Sequence, residues 1–303
     1  MDNTLAMNSI AEDLLPYASN DLAVGPHTLR YLDEGDANAA SVLLCVHGNP
    51  TWSFYWRRII ERFSHSHRVI AVDHLGCGRS EKPPRGDETS KGEFRYRLAD
   101  HRDNLVRLID TLDLQNITLV AHDWGGAIGL TSVLQRRDRL ARIVLLNTGA
   151  FPPPYIPWRI SACRWPWVGT AAVRGLNAFA KAAVTMAMSR QKLSPQAAAG
   201  LLAPYDNWKN RVAIDAFVRD IPKRKSHPTY ETLAKLEADL PSLADIPSLL
   251  VWGMKDWCFR PECLRRFETA WPAAKTVEIA DAGHYVIEDA PEQTLSVIES
   301  FLS

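Results

Sequence analysis

The sequence predicts an α/β domain built on a mostly parallel eight-stranded sheet with flanking helices. Strand-like and helix-like segments alternate along the chain, which is typical of a parallel sheet covered by helices. The strand-like segments after the first two are short, continuous apolar runs, as expected for strands buried on both faces. One long helical stretch interrupts the alternation, which then resumes. These three observations predict one large domain that carries a helical insertion.

The predicted elements follow in chain order. An antiparallel pair opens the sheet, and six buried strands follow it. The eight predicted strands are residues 21–25, 27–33, 42–46, 68–72, 117–120, 142–146, 248–252 and 276–279. Helical spacing of apolar residues predicts helices over 52–62, 98–112 and 291–302, and a tightly packed helix start after the glycine pair at 125–126.

The helical insertion begins at a proline-dense connector, residues 151–158, which cannot be a central strand. From there to residue 222 the chain shows helical patterns rich in Ala and Trp. We therefore predict a core domain of residues 1–150 and 223–303, with a helical cap of residues 151–222 inserted after strand 6. Residues 170–188 are the most apolar long stretch, but they include Arg174 and Lys181. They are predicted to form a buried amphipathic helix, and no membrane span is expected.

Composition describes an ordinary globular protein without a bulk-charge partner. The 303 residues are 46% hydrophobic, which is enough for a substantial core. Because 35 basic side chains balance 35 acidic ones, nothing in the net charge recruits nucleic acid or an anionic membrane. No signal peptide is visible and the five cysteines lack metal or redox spacing, so we expect free thiols and a cytoplasmic location.

Ten tryptophans are many for this length, and several cluster in the chain: Trp52, Trp56, Trp158, Trp165, Trp167 and Trp208. Tryptophan combines a large apolar body with one N–H donor, so such clusters line cores and apolar pockets alike. For those in the helical insertion we expect the lining of an apolar tunnel rather than contact with lipid.

Asp123 is the most informative residue of the chain. It lies in the segment V-A-H-D-W-G-G at 120–126, between a predicted strand and a predicted helix. This arrangement is the nucleophile elbow of α/β-hydrolases, in which a strained turn pushes the nucleophile out of the sheet. A carboxylate is already an anion at neutral pH, whereas serine needs a base before it attacks. Asp123 therefore indicates displacement at a saturated carbon through an ester on the enzyme, although an ordinary helix N-cap would also place Asp here.

The partners of the nucleophile should follow it in the order acid, then histidine. His284 comes just after the last predicted strand, and it is expected to be the base. Asp256, after the penultimate strand, is the preferred acid because it can fix the tautomer of the histidine and stabilise its imidazolium form. The alternatives flank the histidine or follow strand 6: Asp281, Glu288, Asp289 and, as a non-acid, Asn147. His122 is expected to be structural.

Two further residues supply hydrogen-bond donors around the nucleophile. The backbone N–H groups of Asn49 and Trp124 lie where this fold places its oxyanion hole. Their side chains also carry N–H donors that could face the pocket. Two neutral donors beside an apolar pocket suit a leaving anion such as halide. Packing alone would explain Trp124, and a turn before proline would explain Asn49.

Three motifs carry a family resemblance: H-G-N-P-T-W-S-F-Y-W-R at 47–57, H-D-W-G-G at 122–126 and G-H-Y at 283–285. They resemble the haloalkane dehalogenase family, in its third subfamily. The resemblance implies cleavage of carbon–halogen bonds to alcohol and halide, with Asp123 as nucleophile, His284 as base and Asp256 as acid. It also implies that Asn49 and Trp124 bind the halide ion.

The insertion adds a second resemblance within the same branch. A-P-Y-D-N-W-K-N-R at 203–211, D-I-P at 220–222 and N-T-G-A-F-P at 147–152 resemble the β-lactone decarboxylases of bacterial olefin biosynthesis. This resemblance implies, as the alternative, conversion of a long-chain β-lactone to a cis-olefin and carbon dioxide with the same residues. Either resemblance implies a small apolar organic substrate. No cofactor and no metal are expected. Because members of this branch tend to self-associate, a homo-oligomer is expected.

Other functions compete with these. An epoxide hydrolase shares the Asp elbow but needs acids, normally two tyrosines, for which Tyr155 and Tyr205 are the candidates. A fluoroacetate dehalogenase would have Arg in place of Trp124, and a serine esterase is excluded because the elbow has no Ser. A non-catalytic binding protein that kept the fold is disfavoured by the intact set of five site residues.

Overall fold

An eight-stranded sheet forms the centre of the molecule. The computed structural model describes residues 11–86 and 93–303. The strand order is β1-β2-β4-β3-β5-β6-β7-β8. β2 pairs antiparallel with β1 and β4, and the remaining neighbours pair in parallel. The predicted α/β-hydrolase fold with its mostly parallel sheet is therefore confirmed.

The observed strands match the eight predicted ones to within two residues at nearly every end. They are β1 (Asn20–Val24), β2 (His27–Glu34), β3 (Val42–Val46), β4 (Arg68–Asp73), β5 (Ile117–Asp123), β6 (Leu140–Thr148), β7 (Ser248–Gly253) and β8 (Lys275–Ile279). β3, β5 and β7 are buried at every residue. Continuous apolar runs predict such strands well because both sheet faces are covered.

Alternate residues of the central strands enter two hydrophobic cores, one on each face of the sheet. In β3, Leu44 and Val46 belong to one core, whereas Leu43 and Cys45 belong to the other. The helices, named in chain order, are α1 (Arg57–Phe63), α2 (Leu98–Thr111), α3 (Trp124–Leu134), α4 (Trp158–Ala162), α5 (Ala178–Met186), α6 (Pro195–Leu202), α7 (Val212–Asp220), α8 (Pro228–Asp239), α9 (Pro261–Ala270), α10 (Val286–Asp289) and α11 (Pro291–Leu302).

The chain between β6 and β7 contains helices α4 to α8 and, over its described residues, no strand. The prediction of one buried amphipathic helix over 170–188 was wrong. Helical turns cover Val168–Thr170 and Ala171–Gly175. The helical conformation is interrupted at Asn177, which has a φ of 55°, and α5 begins at Ala178. Leu176 at the break is 70% exposed. The apolar residues therefore divide between two short helices and the surface. Among the described helices, none is long and apolar enough to cross a bilayer.

The tryptophans of this segment do not all line a tunnel, so that prediction needs correction. Trp52 and Trp56 are buried in the core, but Trp158, Trp165 and Trp167 are 72%, 62% and 89% exposed. Trp158 borders the cavity described below, whereas Trp165 and Trp167 do not line it. Composition could not separate the two cases, because an apolar residue in a short helical segment faces either the cavity or the solvent according to the packing of its neighbours.

Hydrogen bonds fix the helices of this segment above the carboxyl ends of the strands. The Trp52 indole N–H donates to the Gly200 carbonyl of α6 at 3.1 Å. The Asp289 carboxylate accepts backbone N–H bonds from Ser189, Arg190 and Gln191, and also from Gly283. Because Asp289 is fully buried, it ties the segment after α5 to the loop that carries His284.

Candidate active site

The turn between β5 and α3 holds Asp123 in a strained conformation. Asp123 has a φ of 54°, a region that side chains other than Gly seldom adopt. A side chain at Gly125 would collide with the Val46 carbonyl, so the close approach of the turn to β3 requires glycine there. The Thr148 hydroxyl donates to the Asp123 carbonyl and holds the turn from β6. The strained elbow that the sequence predicts is thus present.

Two groups contact the Asp123 carboxylate. The backbone N–H of Asn49 donates to Oδ1 at 2.7 Å, and Nε2 of His284 lies 3.5 Å from Oδ2. The side chain is only 8% exposed. Among the contacts of the described residues, the Trp124 N–H makes no bond to this carboxylate. Of the two predicted oxyanion-hole donors, the Asn49 N–H therefore binds the Asp123 carboxylate. The other, the Trp124 N–H, belongs to the first residue of helix α3.

His284 is held from its other side by Asp256. Nδ1 of His284 lies 2.8 Å from Oδ2 of Asp256, and the Asp256 carboxylate is fully buried. The alternative acids contact other groups, because Asp281 pairs with Arg190, Glu288 pairs with Arg57, and Asp289 binds backbone N–H groups. The structure therefore brings together the three residues that chain order selected.

Asn147 is a site residue that sequence reasoning missed, because it was weighed only as an acid. Its amide N–H donates to Oδ2 of Asp256 at 3.0 Å and to the Gly253 carbonyl at 3.1 Å, while its oxygen accepts the Gly253 N–H at 2.8 Å. The Cys258 N–H donates to the other oxygen, Oδ1, of Asp256 at 2.6 Å. Asn147 thus bridges the ends of β6 and β7 and fixes the carboxylate that faces His284.

We expect Asn147→Gly to lower kcat for a bromoalkane, the reaction in which His284 would act as base, by about 10- to 100-fold with little change in KM, since one hydrogen bond to a buried carboxylate is worth about 1.5–3 kcal/mol. Glycine suits this position because Asn147 has a φ of 29°. Steady-state kinetics and the urea midpoint of the variant test the expectation. A KM increase with unchanged kcat would contradict a role through Asp256.

The charge of His284 is set by opposing effects. Burial by itself would lower the pKa of the imidazole, but the carboxylates of Asp256 and Asp123 outweigh it and raise the pKa of His284 to about 10. The imidazolium is therefore the favoured form in the free protein at neutral pH. If the Asp123 carboxylate were converted to an uncharged ester, its part of the increase would be lost, and the imidazole would be more easily deprotonated.

The same pKa predicts how stability depends on pH. Because the pKa of His284 is raised above its unfolded value of about 6.5, protonation of His284 stabilises the folded state fully below pH 6.5. This contribution to stability is lost as the pH rises toward about 10. We expect the difference in unfolding free energy between the wild-type protein and His284→Gln to shrink over this range. Urea unfolding at matched pH values measures it, and a difference that stays constant from pH 6.5 to 10 would refute the coupling.

The side chains of Asn49 and Trp124 border the cavity beside Asp123. The Asn49 amide N–H makes a long contact of 3.4 Å to the Ile214 carbonyl, and its Oδ1 is buried without a hydrogen-bond partner among the described residues. The Trp124 ring packs against Phe217, with ring centroids 5.6 Å apart. An anion near Asp123 would therefore meet uncharged donors, and the Asn49 amide has only a weak bond to give up.

The cavity above Asp123 has a volume of about 460 Å³ and a mostly apolar lining. Its ionisable lining, among the described residues, comprises Asp123, His284, Arg159, Tyr155, Tyr285 and the thiols of Cys163, Cys258 and Cys263. Arg159 lies at the surface with its guanidinium over the Trp158 ring, 5.0 Å from the centroid. A volume of this size is typical of sites for small organic ligands.

The two tyrosines proposed for an epoxide hydrolase are engaged elsewhere. The Tyr155 hydroxyl donates to the Cys258 carbonyl at 2.5 Å, and burial raises the pKa of Tyr155 well above its usual value. The Tyr205 hydroxyl donates to the Thr51 carbonyl at 3.2 Å, and Tyr205 does not line the cavity. The two candidate tyrosines, Tyr155 and Tyr205, therefore do not form a pair of acids above Asp123.

The fold and the aspartate at the elbow define the protein as an α/β-hydrolase. Residues 41–291 match the family model for the alpha/beta hydrolase fold. Within that fold, the chain belongs to the family that contains the haloalkane dehalogenases and the cis-3-alkyl-4-alkyloxetan-2-one decarboxylases. The Shewanella oneidensis decarboxylase is 36% identical over 96% of this chain and 90% of its own length, and haloalkane dehalogenase 2 of Mycobacterium bovis is 32% identical over 95% and 96%.

Solved structures agree with this assignment. The haloalkane dehalogenase DbeA from Bradyrhizobium elkani has a TM-score of 0.82 and 26% identity, and covers 94% of this chain and 97% of its own. The tetrameric haloalkane dehalogenase DpaA from Paraglaciecola agarilytica has a TM-score of 0.76 and 27% identity over 95% of each chain. The predicted family is confirmed, and its members are named for two different reactions.

Proposed function

We propose that this protein is a β-lactone decarboxylase that converts a cis-3,4-dialkyl-oxetan-2-one to a cis-olefin and carbon dioxide. The observation that carries the proposal is the Asp123 carboxylate at the elbow, which borders an apolar cavity beside the uncharged residues Asn49 and Trp124 and accepts the Asn49 backbone N–H. The choice of substrate rests on relatives of 36% and 37% identity that are named as decarboxylases of this lactone class.

In the first proposed step, Asp123 attacks the ring carbon that bears the ring oxygen. The carbon–oxygen bond of the ring breaks, and its electrons leave on the former ring carboxyl group. The result is an ester between Asp123 and the substrate, with a free carboxylate on the neighbouring carbon. The N–H donors of Asn49 and Trp124 are available to hydrogen-bond this carboxylate. They would stabilise its negative charge as the donors of an oxyanion hole stabilise a developing charge.

In the second step, the bond to the carboxylate carbon breaks and its electrons form the olefin. The bond between Asp123 and the substrate breaks at the same time, so the nucleophile is regenerated without water or a proton. A cation paired with the carboxylate would stabilise the state before loss of carbon dioxide more than the transition state, where the charge is dispersed. Asn49 and Trp124 are neutral, Arg159 stacks at the cavity mouth, and the ester removes the part of the pKa increase that the Asp123 carboxylate gives to His284, which favours decarboxylation.

The scheme fixes the geometry of the product. Displacement inverts the attacked carbon, which places Asp123 opposite the carboxylate across the carbon–carbon bond. Elimination of groups that lie opposite each other then puts the two alkyl chains of a cis-lactone on the same side of the double bond. We therefore expect a cis-olefin from the cis-lactone and a trans-olefin from the trans-lactone, measured by gas chromatography against both standards.

Haloalkane dehalogenation is the second candidate, because the same geometry supports it. Asp123 would displace halide toward Asn49 and Trp124, and His284, oriented by Asp256, would activate a water that cleaves the ester at its carbonyl. His284 lies 3.5 Å from Asp123, which suits this role once the ester lowers its pKa. This reaction consumes water and produces an alcohol.

Turnover of a synthetic long-chain cis-β-lactone and of 1-bromobutane or 1,2-dibromoethane, side by side with one enzyme preparation, tests the proposal. We expect kcat/KM for the lactone to exceed that for the bromoalkanes by at least about 100-fold, or ~2.7 kcal/mol in transition-state stabilisation. Bromide release that is faster than olefin formation would make dehalogenation the better assignment. Absence of both activities in a folded preparation would favour a binding protein.

A further inference from the structure

Exposed apolar side chains concentrate on one segment of the molecule. Six of the seven large apolar side chains that are exposed in the described residues lie between residues 158 and 208. They are Trp158, Trp165, Trp167, Val168, Leu176 and Trp208, with exposures from 49% to 89%. Exposed apolar side chains that concentrate in one region of a surface are a common sign of an interaction site.

The same segment carries mostly positive charge, which the neutral net charge conceals. Residues 151–208 contain six Lys or Arg side chains and one acidic side chain, Asp206, so the rest of the chain has five more acidic than basic side chains. Of these six, Arg190 alone makes a salt bridge within the described residues, to Asp281. The others are Arg159, Arg164, Arg174, Lys181 and Lys192.

The basic and aromatic side chains are in direct contact. The Arg159 guanidinium lies over the Trp158 ring, and the Arg174 guanidinium lies over the Trp208 ring, 4.7 Å from the centroid. Trp and Arg together suit the boundary between water and a lipid bilayer, where indole rings lie at headgroup depth and cations meet anionic phosphates.

The cavity opens on this same surface. Four of its lining residues are exposed, namely Pro154, Trp158, Arg159 and Ala182, and all four belong to residues 151–205. The mouth of an apolar cavity therefore lies among the tryptophans and the unpaired cations. A long-chain substrate and its olefin product dissolve in a bilayer far better than in water.

We propose that the exposed face of residues 158–181, with Trp208, docks on the surface of an anionic phospholipid bilayer and turns the cavity mouth toward the acyl chains. The tryptophans enter the headgroup region, and Arg159, Arg174 and Lys181 contact lipid phosphates. None of the helices in residues 11–86 and 93–303 is long and apolar enough to cross the bilayer, so binding through this face is peripheral and reversible. The exchange of a long-chain substrate and its olefin between the bilayer and the cavity rests on the proposed decarboxylase function, whereas the docking surface itself does not.

Sedimentation with vesicles tests the docking without any substrate. We expect the wild-type protein to bind phosphatidylcholine vesicles with about one third phosphatidylglycerol at low salt, and to bind pure phosphatidylcholine far more weakly. High salt should release it, because a Debye length of about 3 Å at 1 M salt screens exposed charges. Trp165→Ser/Trp167→Ser should reduce the partition coefficient by at least about ten-fold, and Lys181→Gln by about five-fold.

Matched controls lie outside the face. Leu14→Ser removes an exposed apolar side chain and Lys275→Gln an exposed cation, and both should bind as the wild type does. Trp165 and Trp167 do not line the cavity, so their double variant should keep wild-type turnover of a short water-soluble substrate. Failure of the wild type to bind anionic vesicles, or equal binding by the double variant, would overturn the proposal. So would a wild-type dimer that the double variant converts to a monomer, because a second copy would then cover the face.

Discussion

Asp123→Asn is expected to lower turnover of both the β-lactone and the bromoalkane by at least about 10⁴-fold, which is the scale of losses when a catalytic nucleophile is removed. The amide oxygen of Asn can still accept the Asn49 N–H, so the elbow keeps its shape. What is lost is the anionic oxygen that attacks a saturated carbon, since an amide is a poor nucleophile. Olefin is measured by gas chromatography and bromide by ion chromatography.

Asp281→Asn is the matched control for this variant. Asp281 is exposed, pairs with Arg190 and lies only three residues before His284, so the same loss of charge occurs close to the site in sequence. We expect near wild-type turnover from the control and a cooperative unfolding transition, which shows a folded protein, from both variants. If Asp123→Asn consumes either substrate at the wild-type rate, neither proposed reaction runs through this carboxylate.

His284→Gln is expected to separate the two proposed reactions. For a bromoalkane, displacement needs no base, so one equivalent of bromide should appear and turnover should then stop. The imidazole that activates water for ester hydrolysis is missing, and intact-protein mass spectrometry should find the alkyl group on Asp123. For the β-lactone, elimination regenerates Asp123 without water, so steady-state turnover should persist within about 100-fold of the wild type.

The contrast between the substrates is the informative result. A loss of several orders of magnitude with both would mean that His284 also acts in the lactone reaction, for example through its imidazolium beside Asp123. Absence of a bromide burst and of an adduct would remove the two-step scheme for haloalkanes. His65→Gln, which changes an exposed histidine, controls for handling of the variant.

Local patterns predicted the elements of the sheet because each central strand is buried on both faces. In a run such as Val42–Val46 every side chain is apolar, so all of them are kept from water only when both faces of the strand are covered. The elbow could also be predicted from the sequence, because its close contacts with Val46 and Thr148 require glycine at positions 125 and 126. Chain order then selected His284 and Asp256, whose ring nitrogen and carboxylate lie 2.8 Å apart.

Other features depend on contacts between segments far apart in the chain. In the sequence, Asn147 only showed that the position after strand 6 does not supply the acid. Its hydrogen bond to Asp256 forms because β6 and β7 are neighbours in the sheet, which brings its amide to that carboxylate. The separation of 170–188 into two helices depends on packing that no local period records. Whether a tryptophan faces the cavity or solvent depends on the helices beside it, so Trp165 and Trp167 were misjudged.

The sequence by itself determined the fold, the family and the three residues that meet at the elbow. Each of these is encoded in short segments whose burial, turn geometry or order leaves one arrangement. Only the tertiary structure decided how Asp256 is fixed, that His284 is favoured as an imidazolium, and where the apolar cavity opens. These properties come from contacts between side chains that are far apart in sequence, such as 28 residues for Asp256 and His284 and 109 residues for Asn147 and Asp256, and a linear pattern carries no information about such contacts.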